Sequence, residues 1–127
     1  MSIMVETPNP KKLLEAIYGA IDKKDGKKGG VETWTYNHEG FFTYGTGSGE
    51  WEKAAWLKPD DSKEGVLTFE YEVTAKGLLK PNCYGVYHGR FIEMLLNHFA
   101  SQLSLASATS EGKRPVKLGV RIPKNRA

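Results

Sequence analysis

The sequence predicts an α+β fold in which a mostly antiparallel sheet carries two helices on one face. Three observations support this prediction. Apolar residues recur at three- and four-residue steps in two segments, near residues 13–21 and 91–103. Residues 67–73 instead alternate apolar and polar side chains, which is typical of a strand with one wet face. Turns that contain Gly or Pro separate these segments in the order α-β-β-β-β-α-β-β.

Start signals and apolar stripes indicate two helices. Asn9 is a good N-cap and Pro10 occupies the favoured first position, so the first helix is predicted over residues 10–24. It should end near Gly26. The central helix is predicted over residues 85–103. Its stripe is wide enough to require cover by the sheet and consists of Phe91, Ile92, Leu95, Leu96, Phe99 and Leu103.

Six strands complete the predicted order. The first two form a hairpin around the turn at residues 37–40, and the last two form a second hairpin. The third strand has a side-chain order that would also tolerate a helical turn. A turn cluster over residues 59–65 leads into the fourth strand. The predicted strands are 31–36, 41–44, 50–57, 67–73, 103–108 and 116–122.

The length and the cysteine content limit the class of protein. A chain of 127 residues predicts a single domain, with residues 1–8 and 123–127 as candidate disordered tails. The only cysteine, Cys83, excludes an intrachain disulfide and favours a reducing compartment. The first residues turn acidic too soon for a signal peptide, and no run of about 18 apolar residues occurs. We therefore expect a cytoplasmic protein that makes no contact with membranes.

The charge distribution gives only weak support for nucleic-acid binding. The formal net charge is +3, and basic residues concentrate in residues 23–28 and 113–126. The aromatic side chains between residues 34 and 56 could stack on bases, but no basic residue lies between Gly29 and Glu52. These aromatics are expected in the core or at a subunit interface. Weak nucleic-acid binding through the two basic segments remains the second alternative function.

The densest cluster of recognition-competent side chains lies where the central helix begins. It contains Tyr84, Tyr87, His88 and Arg90. Free backbone N–H groups and the helix dipole favour negative charge at such a position. These four residues are therefore the predicted ligand-binding residues, and the predicted ligand is a small anion or a peptide.

The predicted function is a small cytoplasmic binding or interaction module that self-associates as a homodimer. The alternative is a small enzyme in which His88 acts as general acid or base, Cys83 or Tyr84 assists, and Arg90 holds an anionic group. The residues by themselves favour a surface role for Arg90, paired with Glu93, and a packing role for His88.

Other chemistry receives little support from the sequence, and no metal or cofactor is predicted. The three histidines lack the spacing of metal ligands. The glycine-rich residues 45–49 lack the Lys-Ser/Thr pair of a phosphate loop, and a strand is expected to follow. Glu70 and Glu72 share a wet strand face, where paired carboxylates are normally just solvated.

Overall fold

The computed structural model describes residues 2–23, 31, 33–45 and 51–109. It contains six strands, two long helices and one short helix. The strands are β1 (Ser2–Glu6), β2 (Trp34–Tyr36), β3 (Phe42–Tyr44), β4 (Ala55–Asp60), β5 (Val66–Val73) and β6 (Leu105–Ala108). The helices are α1 (Pro10–Asp22), α2 (Ala75–Leu78) and α3 (Cys83–Phe99), and a 3₁₀ turn over Ala100–Gln102 follows α3.

The six strands form one antiparallel sheet in the order β2-β3-β4-β5-β1-β6. Both long helices pack on the same face of this sheet. The ring of Phe42 shows this directly, because it stacks on Tyr18 of α1 at 4.9 Å and lies 5.7 Å from Phe91 of α3. The predicted α+β class and the antiparallel sheet with two helices on one face are confirmed.

The first strand was not expected, so the predicted tail at residues 1–8 is wrong for Ser2–Glu6. This segment lies between β5 and β6 and pairs with both. Ile3 and Val5 are fully buried while Met4 points to the open face. Two buried positions are too few to reveal a strand by alternation alone, although pairing along both edges makes β1 an internal strand of the sheet. The observed order therefore begins with β before α.

Several predicted boundaries shift for local reasons. The central helix begins at Cys83 because Asn82 adopts a left-handed conformation, with φ 69°, directly after Pro81. It ends at Phe99, and the chain is extended again at Leu103. The short helix α2, capped by Thr74, occupies a segment predicted as part of a connection.

The third predicted strand moves towards the C terminus. Lys53 has φ 58°, and the turn at residues 51–53 delays the strand until Ala55. Pro59 and Asp60, predicted in a turn, extend β4 and pair with β5. The predicted strand at residues 116–122 and the tail at 123–127 lie outside the described residues. Within the described part of the chain, the helices are all too short or too polar to cross a lipid bilayer.

Candidate functional site

The four residues predicted to bind a ligand do not face one pocket. Successive residues of a helix point about 100° apart, so neighbours in the sequence diverge in space. Tyr84 and His88 lie together on one side of α3, against Tyr71 of the sheet. Tyr87 points into the sheet beside Trp34, and Arg90 lies at the surface.

The side chain of Tyr87 lies in the core and contributes to the packing of the fold. Its ring is fully buried, and its hydroxyl accepts from the Ala54 amide at 3.1 Å and donates to the Trp51 carbonyl at 2.5 Å. Thr43 Oγ1 lies 3.1 Å from the same hydroxyl. The hydroxyl joins β3 to the start of β4, where the two strands pair only at Phe42 and Leu57. Burial raises the pKa of Tyr87, which keeps the phenol protonated.

His88 is a buried, neutral histidine. It is 3% exposed, and its Nδ1 lies 2.7 Å from the Tyr84 carbonyl oxygen. Since a carbonyl only accepts, Nδ1 carries the proton and Nε2 keeps a lone pair. Nε2 has no hydrogen-bond partner among the described residues. Burial lowers the pKa of His88 to about 4, against a smaller opposing effect of the Tyr84 carbonyl. At neutral pH the imidazole therefore carries no charge that an anion could use.

Tyr84 ties the start of α3 to the end of β6. Its hydroxyl donates to the carbonyl of Thr109 and lies 3.0 Å from Thr109 Oγ1. Its ring meets Tyr71 edge-on, with 5.1 Å between centroids. Tyr84 is 8% exposed, so only its edge can reach a surface ligand.

The residues of the enzyme alternative do not form a reactive pair in this arrangement. Cys83 is 4% exposed, and its Sγ lies 4.0 Å from the Ala54 carbonyl oxygen. Cys83 and His88 are five residues apart, which places them roughly 140° apart around the helix. Both side chains are withdrawn from solvent, where a substrate would have to approach.

Arg90 is exposed and interacts with Tyr44. Its guanidinium donates to the Tyr44 hydroxyl at 2.6 Å and lies 5.4 Å from the centre of that ring. Gly85, Gly89 and Glu93 line a shallow surface groove of about 250 Å³ beside it. The guanidinium is thus available to solvent, but on another side of the helix from His88.

The most unusual surface feature lies just before α3 and was missed from the sequence. Val73, Leu78 and Leu79 are 37%, 73% and 85% exposed, and Pro81 is exposed beside them. We call Val73, Leu78, Leu79 and Pro81 the apolar corner. The sequence does contain a signal for this feature. Leu78 and Leu79 are adjacent, between Gly77 and Pro81, and fit the apolar period of neither a helix nor a strand.

Contacts with the segment before β4 hold the backbone of the apolar corner in place. Thr74 Oγ1 accepts from the Gly77 amide at 3.2 Å, and its hydroxyl lies 2.9 Å from the Ala54 carbonyl. A Cβ on Gly77 would lie 2.0 Å from that same carbonyl oxygen, so only glycine permits this approach. Lys76 Nζ donates to the Glu52 carbonyl at 2.7 Å. Leu78 and Leu79 therefore project from an anchored turn.

A cleft of about 200 Å³ opens beside the apolar corner. Tyr71, Tyr84, Val73 and Leu78 are among the residues that line it. Pockets for drug-sized ligands usually span about 300–1,000 Å³. An apolar cavity of about 150 Å³ already holds a benzene-sized molecule. The cleft therefore has the size of a side-chain pocket.

Two lysines flank the leucine pair of the apolar corner. Lys76 and Lys80 lie on either side of the leucine pair in the chain, and Lys80 lines the cleft. Glu72 lies on the opposite face of β5 from Tyr71, because side chains alternate along a strand. It lines a separate depression of about 560 Å³ on the open face of the sheet, together with Glu70.

Of the basic segments, Lys23 lies within the described residues, whereas residues 24–28 and 113–126 lie outside them. The glycine-rich residues 46–49 also lie outside. Nucleic-acid binding therefore stays a prediction. No known family model matches the chain, and no curated protein or solved structure is significantly similar to it.

Proposed function

We propose that the protein is a non-catalytic interaction module, and that a peptide segment of a protein partner docks on the apolar corner and the adjoining cleft. The observation that carries this proposal is the exposure of Leu78 and Leu79, at 73% and 85%. Full burial of a leucine side chain is worth about 1.5–3 kcal/mol relative to exposure. A partner that covers this pair gains much of that free energy.

The anchoring of α2 supports the proposal. A docking surface binds more tightly when its side chains are already ordered, because less conformational freedom is lost on binding. Thr74 and Gly77 hold the backbone of α2 against Ala54. The leucine pair thus stands on a backbone that needs no rearrangement to receive a partner.

A peptide fits the surface better than a small anion. The anionic ligand was predicted to bind Tyr84, Tyr87, His88 and Arg90 together. His88 is neutral at pH 7, Tyr87 is buried, and Arg90 lies on another side of α3. The cleft instead has about the volume of one side chain, and Tyr71, Val73 and Leu78 are among its lining residues. The cytoplasm remains the proposed location, because the single cysteine favours a reducing compartment.

The test measures the affinity of a fluorescein-labelled peptide that carries a leucine pair between glutamine residues, by fluorescence anisotropy. The Leu78→Ser/Leu79→Ser variant should bind at least tenfold more weakly than the wild type. The matched control is Leu96→Ser, since Leu96 is a 50% exposed leucine on α3. Equal affinities of the wild type and the double variant, or an equal loss in the control, would contradict the proposal.

An exposed apolar surface can also bind a second copy of the chain. We therefore also propose the homodimer that the sequence predicts. A two-fold contact at the apolar corner would bring Lys76 and Lys80 of both copies close together. Sedimentation velocity of the wild type and the L78S/L79S variant separates the two cases. A dimer that dissociates in the variant would show that a second copy occupies the surface.

A further inference from the structure

We infer that the homodimer forms through the free edge of β6 and the adjoining side of α3, an inference that rests on the homodimer proposed above and not on the peptide site. Two copies pair β6 with β6 in antiparallel fashion across a two-fold axis, and α3 of one copy packs beside α3 of the other. The partner at this surface is therefore a second copy of the chain. The apolar corner lies outside this contact.

The first step of the argument is the edge of the sheet. β6 is the last strand in the sheet order, and within the described residues it pairs with β1 alone. The Thr109 amide donates to the Ser2 carbonyl at 3.0 Å, so the backbone groups of Thr109 point to β1. Because these groups alternate in direction along an antiparallel strand, those of Ala106 and Ala108 point to the free edge. β6 contains neither a charged residue nor a proline, which usually protect an exposed edge from pairing.

The second step concerns the side of α3 that faces this edge. Tyr87 lies beside Trp34 of β2, at the opposite end of the sheet. Ile92 and Leu96 point about 140° and 180° away from Tyr87 around the helix, towards β6. Ile92 is partly buried against the core, and Leu96 is 50% exposed. An apolar strip thus continues from the core to the surface beside the free edge.

The third step identifies the occupant as a second copy. In an antiparallel pair of α3 helices centred on the middle of the helix, Leu96 of one copy lies opposite Gly85 of the other, and Ile92 lies opposite Gly89. A Cβ on either glycine would meet nothing within 4 Å, so each glycine leaves room for the larger side chain. The strip is therefore complementary to itself, which is what a two-fold contact requires.

A single axis can relate both elements. The Tyr84 hydroxyl at the start of α3 meets Thr109 at the end of β6, and α3 ends shortly before β6 begins. The helix and the strand therefore run in opposite directions, with their midpoints at about the same level. An axis through these midpoints passes close to Ser107. It brings no charged side chain of β6 against its own counterpart, because the strand has none.

Sedimentation velocity of variants tests the contact. The wild type should dimerise, and Leu96→Ser should raise the dimer dissociation constant at least tenfold, because each dimer loses two copies of this contact. Ala106→Pro removes an N–H group that points away from β1 and should have a similar effect. The matched control is L78S/L79S, which removes exposed leucines elsewhere and should leave the dimer intact. Urea denaturation of each variant checks that it folds.

A cysteine cross-link tests the position of the axis. Antiparallel pairing about Ser107 would bring the two Cα atoms of this residue to about 4.5 Å, a distance that a disulfide spans. Ser107→Cys should thus form an interchain disulfide with copper phenanthroline as the oxidant. Ser62→Cys, at an exposed position before β5, should not. The wild type measures the background from Cys83, which is 4% exposed.

The outcomes separate this inference from the peptide proposal. If Leu96→Ser dissociates the dimer and keeps the peptide affinity, while L78S/L79S does the reverse, both proposals stand. A dimer that survives both Leu96→Ser and Ala106→Pro, or a Ser107→Cys dimer without a cross-link, overturns this interface. A dimer that dissociates in L78S/L79S also overturns it and places the second copy at the apolar corner. A wild type that stays monomeric at its highest soluble concentration overturns the homodimer, whereas the peptide titration decides the peptide site independently.

Discussion

The imidazole of His88 stacks on the phenol ring of Tyr84, with 3.9 Å between their centroids. Its Nδ1 lies 2.7 Å from the Tyr84 carbonyl oxygen. Tyr84 in turn binds Thr109 at the end of β6. The pair thus joins the first two turns of α3 to the sheet, at the position where the sequence predicted a ligand. Both rings therefore contribute to the packing between α3 and the sheet.

The burial of His88 predicts a loss of stability in acid. Its pKa is lowered to about 4 in the folded protein, whereas an unfolded histidine has a pKa of about 6.5. The unfolded state therefore binds more protons between these values. The contribution of His88 is fully present above about pH 6.5 and falls as the pH drops towards 4, by up to about 3 kcal/mol.

Urea denaturation across this pH range measures the effect. His88→Phe keeps an aromatic ring in the stack and should flatten the pH dependence between pH 6.5 and 4. The exposed His98 provides the control, since His98→Gln should leave the dependence as in the wild type. An equally steep loss in the His88→Phe protein would contradict the assignment.

The Tyr87 hydroxyl predicts a large effect of removing one oxygen atom. Tyr87→Phe removes the hydroxyl that accepts from the buried Ala54 amide and donates to the Trp51 carbonyl, so that the amide keeps only its 3.2 Å bond to the Trp51 carbonyl oxygen. The expected loss of unfolding free energy is about 1–3 kcal/mol, measured by chemical denaturation. Tyr44→Phe removes a hydroxyl that meets the exposed Arg90 and should cost less than about 1 kcal/mol. Equal losses in the two variants would refute the structural role of Tyr87.

Three helical glycines predict effects of opposite sign. A Cβ on Gly85 or Gly89 would meet nothing within 4 Å, and both lie inside α3. Gly85→Ala and Gly89→Ala should each stabilise the protein by about 0.5–1 kcal/mol. Gly77→Ala should destabilise it, because its Cβ would collide with the Ala54 carbonyl. Thermal unfolding gives the three signs, and a stabilising Gly77→Ala would count against the anchored turn.

The central position of β1 predicts that its inward residues carry much of the stability. Ile3 is fully buried, so Ile3→Ala should cost about 2–5 kcal/mol. Met4 on the same strand is 43% exposed, and Met4→Ala should cost less than about 1 kcal/mol. Denaturation midpoints of the two variants test this. Near-equal midpoints would instead fit the tail that the sequence predicted.

The sequence predicts those elements whose signals are local. Asn9 and Pro10 mark the start of α1, and Asn9 does cap it through Lys12. The alternation over residues 67–73 identifies β5. The start of the chain carries too few apolar residues to reveal β1, whose burial depends on two partners distant in the sequence. Local patterns hold no information on such pairings.

The binding site that the sequence predicts at the start of α3 stays a prediction. The start of α3 is where the cleft lies, and Tyr84 contributes to its wall. The direction of each side chain depends on the helical phase, which turns Tyr87 and Arg90 away from Tyr84. The exposure of Leu78 and Leu79 depends on the contact of Gly77 with Ala54, which lies on another part of the sheet. The helical phase follows from the spacing, whereas the contact of Gly77 with Ala54 joins segments that are distant in the sequence.

The most direct test of the docking surface is an NMR titration of the ¹⁵N-labelled protein with the peptide that carries a leucine pair between glutamine residues. The amide shift changes should concentrate in residues 73–84, which form the apolar corner and the cleft, and should leave α1 and the end of α3 unchanged. Shift changes confined to other surfaces would contradict the assignment of this surface. So would the absence of shift changes at a peptide concentration that saturates the anisotropy signal.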